Sequence, residues 1–137
     1  MPLIQVKVVE GALSQGQKQQ VIEKLTDTLI SIEGKSLRPL TWVLIDEVKS
    51  SEWGSGAKEM TPYDIKVTVV EGALSQGQKQ QVIQKVTDTM SSIEGKGKRP
   101  ANWVKVEEVK GGNLGIGGKV MTWAEVMALA AESYEKF

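Results

Sequence analysis

A chain of 137 residues with no histidine and no cysteine has few groups left for moving protons. A Ser-His-Asp triad is impossible. So are a thiolate nucleophile, a disulfide framework and the usual zinc ligand sets. Acid–base work must fall to carboxylates, Lys, Tyr or the chain terminus. Pro2 is the sharpest candidate. With Met1 removed, Pro2 carries a free secondary amine. An α-amino group has a pKa of about 7.7–8.0, and an apolar setting lowers it. That would be a base poised near neutral pH.

Other candidates have simpler readings. The stretch Gly111-Gly112-Asn113-Leu114-Gly115-Ile116-Gly117-Gly118-Lys119 is glycine-rich, but Val120 follows Lys119 where a phosphate loop needs Ser or Thr. A loop or hairpin with unusual backbone angles fits it better. The basic run Lys96-Gly97-Lys98-Arg99 reads as a solvated loop. Arg38 stands at the place in the first half that Arg99 holds in the second, which keeps carboxylate binding open for both.

The elements that must position these groups come from a duplication. Val8 through Ile22 recurs unchanged from Val69 to Ile83, a displacement of 61 residues. The same offset carries Gly34 to Gly95, Arg38-Pro39 to Arg99-Pro100, Trp42-Val43 to Trp103-Val104 and Gly54 to Gly115. Two long copies make a duplicated unit, not a solenoid. The expected units are residues 1–61 and 62–137, the second carrying an extra C-terminal helix.

Within each unit the pattern is strand, helix, strand. Ile4, Val6 and Val8 alternate along a strand over residues 3–9 that Glu10-Gly11 breaks. Ser14 and Gln17 form a capping box. Val21, Ile22, Leu25, Leu29 and Ile32 then follow at helical spacing, and Gly34 supplies a stop. Pro39 precedes a second strand expected over Leu40 to Val48. The second copy repeats this with Ile65, Val67 and Val69, then Val82, Ile83, Val86, Met90 and Ile93, then a strand over Trp103 to Val109. After Thr122, a third helix is expected, capped by Thr122 and Glu125, with Val126, Met127 and Leu129 to Ala131 as its apolar face.

A crossover of about thirty residues makes each unit a βαβ motif with parallel strands. The fold class is therefore α+β: two tandem βαβ units forming a four-stranded sheet with two helices on one face. Trp42, Leu44, Trp103 and Lys105 then point to the face the helices leave bare. Parallel strands are normally covered on both faces. Packing of such sheets against copies of the chain, as a closed homo-oligomer, is the expected remedy.

Lys+Arg and Asp+Glu both number 17, so the formal net charge is zero and nothing favours nucleic acid or an anionic membrane as partner. No apolar run nears the roughly 20 residues of a membrane helix, and the N-terminus lacks a signal-peptide pattern. A cytoplasmic location is the default expectation.

Pro2 before the first strand, Glu10-Gly11 at its end, a Gln/Lys-rich helix start, Pro39 before the second strand and Gly115-Ile116-Gly117-Gly118 after its counterpart together resemble the tautomerase superfamily. The chain looks like two fused copies of 4-oxalocrotonate tautomerase. The resemblance covers nearly everything but the C-terminal helix. It implies a trimer of fused chains, with sheets packed inward, and it makes Pro2 the catalytic base. Tyr63 stands at Pro2's place in the second copy, with an acylated nitrogen, as Pro62 also has. The family's carboxylate-binding Arg after the Glu-Gly turn is replaced by Ala12 and Ala73. Its second Arg aligns with Leu44 in one copy and Lys105 in the other, and its shielding aromatic with Trp53 and Leu114.

The implied reading is an isomerase for keto–enol proton transfer on a small unsaturated 2-keto or enol acid. Pro2 is the base; Lys105, with Arg38 or Arg99, binds the carboxylate or an enolate; Trp53 and Leu114 wall the pocket. No metal or organic cofactor is implied. A hydrolytic dehalogenase or decarboxylase of the same superfamily, with Glu52 activating water, and a non-catalytic trimeric scaffold are the alternatives.

Overall fold

In each copy a capped helix links two parallel strands. A computed structural model describes residues 2–57 and 60–136. Strand β1 (Leu3–Val9) leads into α1 (Gln15–Glu33), a short 3-10 turn over Lys35–Leu40, and β2 (Trp42–Val48). The second copy gives β3 (Tyr63–Val70), α2 (Gln76–Glu94), another 3-10 turn and β4 (Asn102–Val109). A small hairpin, β5 (Leu114–Ile116) with β6 (Lys119–Met121), precedes α3 (Trp123–Lys136).

The main sheet has the order β2-β1-β3-β4. β1 pairs with β2 in parallel, as β3 does with β4, while β1 and β3 meet antiparallel. The two units therefore lie head to tail. Thr28 and Thr89, equivalent by the repeat, bring their hydroxyls to 2.9 Å. Gln17 Nε2 donates to the Ile93 carbonyl at 3.2 Å, tying the start of α1 to the end of α2.

The alternation in the strands decides the two faces. Ile4, Val6, Val8, Ile65, Val67 and Val69 are fully buried beneath Val21, Leu25, Leu29, Val82, Val86 and Met90 of the helices. The opposite face is bare: Trp42 is 69% exposed, Leu44 49% and Trp103 73%. Both helices open with reciprocal Ser–Gln capping boxes, Ser14 with Gln17 and Ser75 with Gln78. Both end at a glycine with positive φ, Gly34 at 111° and Gly95 at 114°, a backbone that L side chains resist.

Four local expectations are corrected. Ile22 and Ile83 are exposed, because residues 21, 25 and 29 form the inward line and position 22 is turned about 100° from it. The second strand starts at Trp42 and not at Leu40. Pro39 sits within a 3-10 turn, where its fixed φ fits and its missing N–H costs nothing. Strand β4 starts one residue earlier than expected, at Asn102. Ala131 is exposed; Val126 and Ala130 form the buried line of α3.

The glycine-rich stretch is a hairpin. Ile116 pairs with Lys119 across Gly117 and Gly118, whose φ values are 60° and 85°. Two successive positive φ angles are what the tightest hairpin turn demands. The hairpin and α3 build a second core with Leu37, Val70, Met121, Val126 and Ala130.

Candidate functional site

Two corners of the sheet, one per copy, carry the groups that could do chemistry. At the first, Pro2 is buried and its carbonyl accepts from the Trp42 N–H at 3.0 Å. A crossover helix runs back against its strands, so α1 ends where β1 and β2 begin. Glu33 is the last residue of α1. Both of its carboxylate oxygens are buried without a hydrogen-bond partner. Burial pushes its pKa up to about 7, and the positive amino terminus of the chain opposes that rise. Leu37, in the turn just beyond, is fully buried, and Leu114 of the hairpin packs into the same cluster. The tail that follows β4 thus closes the end of the sheet where β1 begins.

At the second corner Tyr63 opens β3. A cavity of about 560 Å³ adjoins it, lined by Trp53, Met60, Pro62, Trp103, Lys105 and the tyrosine itself. Tyr63's nitrogen is a peptide nitrogen, held in a planar amide and not basic. Its hydroxyl is pushed up to about 12, by burial first and by the negative charge of Glu94 second. Glu94 ends α2 as Glu33 ends α1, but here Asn102 Nδ2 donates to Glu94 Oε1 at 2.7 Å. Lys105 Nζ lies 3.2 Å from Asp64 Oδ1. A smaller hollow of about 130 Å³ on the bare face is lined by Gln5, Lys7, Asp64, Lys66 and Lys105.

The candidate residues separate into three places. Lys105 and Trp53 share the Tyr63 cavity. Pro2 and Leu114 belong to the opposite end of the sheet. Arg38 is ion-paired with Asp27 of α1, and Arg99 with Asp88 of α2 at 2.6 Å, so both guanidinium groups are tied to helices. Trp53 comes from the first copy but walls the second copy's corner. The antiparallel join of β1 and β3 causes this exchange, because the tail of each unit leaves the sheet at the other's entrance. Glu52 is exposed and does not line the cavity. The side chains of Lys96 and Lys98, from the basic run, lie outside the described residues. Among the described residues no group of three or more Asp and Glu side chains could hold a metal ion.

Glu33 was not among the residues singled out by type and spacing, although a signal was present. Ile-Glu-Gly closes the helix in both copies, at Ile32-Glu33-Gly34 and Ile93-Glu94-Gly95. A carboxylate there faces the negative end of the helix dipole, where a cation is favoured.

The family profile described as "Tautomerase enzyme" matches this chain twice, over residues 2–61 and 64–124. A "Probable tautomerase K2" from Dickeya dadantii (strain 3937) is 33% identical over 61 residues, covering 44% of this chain and 90% of that protein. A "Probable tautomerase" from Helicobacter pylori (strain ATCC 700392 / 26695) is 36% identical over 62 residues, again 44% of this chain and 90% of its own length. Each relative thus matches about one copy. Among solved structures, a fused 4-OT described as a wild-type asymmetric trimer superimposes with a TM-score of 0.78 at 19% identity, covering 87% of this chain and 95% of its own. A member of the cis-3-chloroacrylic acid dehalogenase family, N1, gives a TM-score of 0.79 at 18% identity, covering 99% of this chain and 100% of its own. At those identities the likeness is one of fold.

Proposed function

The chain belongs to the tautomerase family, and on that premise we propose that it is an isomerase whose Pro2 amine, freed by removal of Met1, shifts a proton along a small unsaturated 2-keto or enol acid. The observation that carries this reading is the contrast at the two strand entrances. Pro2 is buried at one, and an acylated Tyr63 stands at the other. Only a nitrogen with a free lone pair can serve as base.

The lone pair of Pro2 takes a proton from the enol oxygen or from a carbon alpha to the carbonyl. The electron pair left behind spreads through the conjugated system. The ammonium then returns the proton to a different carbon, so the amine is regenerated. Substrate and product differ only in where the proton and double bond lie, and the step needs no metal or organic cofactor.

Lys105 supplies the cation for the substrate carboxylate or the developing enolate. It stands on the bare face of the sheet, 51% exposed. It therefore meets a substrate held at Pro2 only where the sheet of a second chain packs on that face. Trp53 walls the Tyr63 pocket, and the Leu114 hairpin walls the Pro2 end. With Arg38 and Arg99 engaged by helix aspartates, the carboxylate falls to Lys105. A homotrimer covers the exposed Trp42, Leu44 and Trp103, an apolar patch that a lone chain would leave wet. Light scattering at micromolar concentration should return the mass of three chains, and a single-chain mass would sink the shared-site arrangement.

The chemistry itself is tested by covalent labelling. An acetylenic acid that alkylates amines should inactivate the protein with one label per chain, on Pro2. Lys105→Ala should slow that labelling. Two labels per chain, or one in the second copy, would mean that the base has been assigned to the wrong corner.

A further inference from the structure

The first corner contains a group that the proposed proton transfer has not yet used. Glu33 is a buried carboxyl with two oxygens and no hydrogen-bond partner for either. Carboxyls in that state are rare, because an unmet buried acceptor forfeits its hydration without return. Its twin shows what the site normally requires. Glu94, 61 residues later, accepts from the Asn102 amide. Thr41 holds the position matching Asn102, and its hydroxyl is spent on the Leu37 carbonyl at 2.7 Å. The repeat has therefore kept the carboxylate and lost the neutral donor in the one copy whose first strand begins with a proline.

What stands in the donor's place follows from the topology. The end of α1 lies at the entrance of β1, and Pro2 is the residue just before that strand. At the equivalent entrance, Glu94 is close enough to Tyr63 for its charge to act on the hydroxyl. Of the charged groups near the first corner, Arg38 is engaged with Asp27. The charge that acts on Glu33 is that of the chain's own amino terminus.

We propose that Glu33 is the counter-ion of the Pro2 amine, a positioning residue that holds the ammonium formed when Pro2 takes a proton. This rests on the reading of Pro2 as the base. Glu33 does not touch substrate. In the resting state one proton is shared between carboxyl and amine. During turnover the substrate proton moves to Pro2, the carboxylate pairs with the resulting ammonium, and the same proton leaves to the product. The negative end of α1 points at the same place and acts in the same direction. The pair also fixes where the amine lone pair aims, because an ammonium held from behind presents its remaining N–H toward the substrate.

The test reads the amine directly. Protein labelled with ¹⁵N-proline, with its free Pro2 verified by mass, is titrated by NMR. An opposite charge at close range raises an amine's pKa by about 1–3 units. In Glu33→Gln the Pro2 amine should therefore titrate about 1–3 units lower than in the wild type. Glu33→Asp should recover part of the shift, and Glu94→Gln should leave it unchanged. The acidic limb of the pH–rate profile should move with the amine. An amine that titrates at the same pH in Glu33→Gln as in the wild type overturns the proposal. Should that variant fail to fold, the ¹³C carboxyl signal of Glu33 in the wild type decides. It should show a midpoint in common with Pro2, whereas independent midpoints reject the pair. The NMR shift does not depend on turnover. A shift found together with full activity in Pro2→Ala would retire the isomerase mechanism and leave the ion pair standing. No shift, with Pro2→Ala inactive, would retire the ion pair alone.

Discussion

At the Pro2 corner a buried glutamate ends α1, no neutral donor reaches it, and the tail after β4 closes over it. At the Tyr63 corner the equivalent glutamate is held by Asn102, the strand opens with an amide nitrogen, and Trp53 from the other copy walls an open cavity. The two corners share their helices, caps and core almost residue for residue. Ser14 and Ser75 cap identically, and Lys18 and Lys79 each reach a glutamate on the adjoining second strand at 2.8 Å. A fused pair of units has one amino terminus, so one corner can hold an amine and the other cannot. The core has to satisfy the same packing twice, so it stays alike. The corners are released from each other, and they differ where a cation must be met.

The largest expected effect of breaking this asymmetry is on turnover. Pro2→Ala replaces a ring-held secondary amine with a freer primary one and should lower proton-transfer activity by roughly 100- to 10,000-fold, the usual worth of a positioned base. Tyr63→Phe, the matching change at the other corner, should leave turnover as it was. Steady-state kinetics on a simple enol acid compares the two. Equal losses would mean that the corners act together.

A second effect is on stability against pH. In a chain whose N-terminus is blocked by a tag, Glu33 has no amine beside it. Its folded pKa is raised, from 4.5 to about 7, so its neutral form is the one the fold favours. Stability is then fully present below pH 4.5 and lost as pH rises toward 7, by about 3 kcal/mol from the size of the shift. Urea midpoints measured across that window should fall in the blocked chain. They should stay nearly level in protein with a free Pro2, whose ammonium compensates the carboxylate. Parallel curves for the two proteins would remove Glu33 from the comparison.

The smallest effect concerns the second corner alone. Asn102→Thr makes it resemble the first and removes the amide that Glu94 accepts from. The loss of a hydrogen bond to a charged group in a part-buried place should cost about 1–3 kcal/mol. Thermal unfolding would show it, and activity should not change. A variant as stable as the wild type would mean that Glu94 does not depend on Asn102.

Much of this was legible before any coordinates. The 61-residue displacement, the alternation of Ile4, Val6 and Val8, and the Ser–Gln boxes are local patterns with local causes, so strands, helices and caps follow from them. The bare face was legible too, because a strand's side chains alternate and two helices cover only one side. Trp42 and Trp103 accordingly stand exposed. The proline ahead of the first strand marked the reactive nitrogen. Less legible was the reach of long side chains. Arg38 and Arg99 turn to Asp27 and Asp88, eleven residues earlier in each copy, a pairing that depends on how the 3-10 turn folds back along its helix.

What the sequence alone determined is everything set by neighbours in the chain: the duplication, the period of each element, the glycine hairpin, and the single amine available to a chain with no histidine. What only the tertiary structure decided is which groups meet across the molecule. The antiparallel pairing of β1 with β3 carries Trp53 to Tyr63 and the Leu114 hairpin to the Pro2 end. It is a choice between strand edges that no local pattern encodes. The same holds for Glu33. Its place at the end of α1 is written in the chain, but its burial without a donor arises only when the helix is laid back along the sheet and Thr41 turns its hydroxyl to Leu37. Desolvation belongs to the packed surroundings of a group and not to its type, and so the folded chain alone sets that carboxyl's charge.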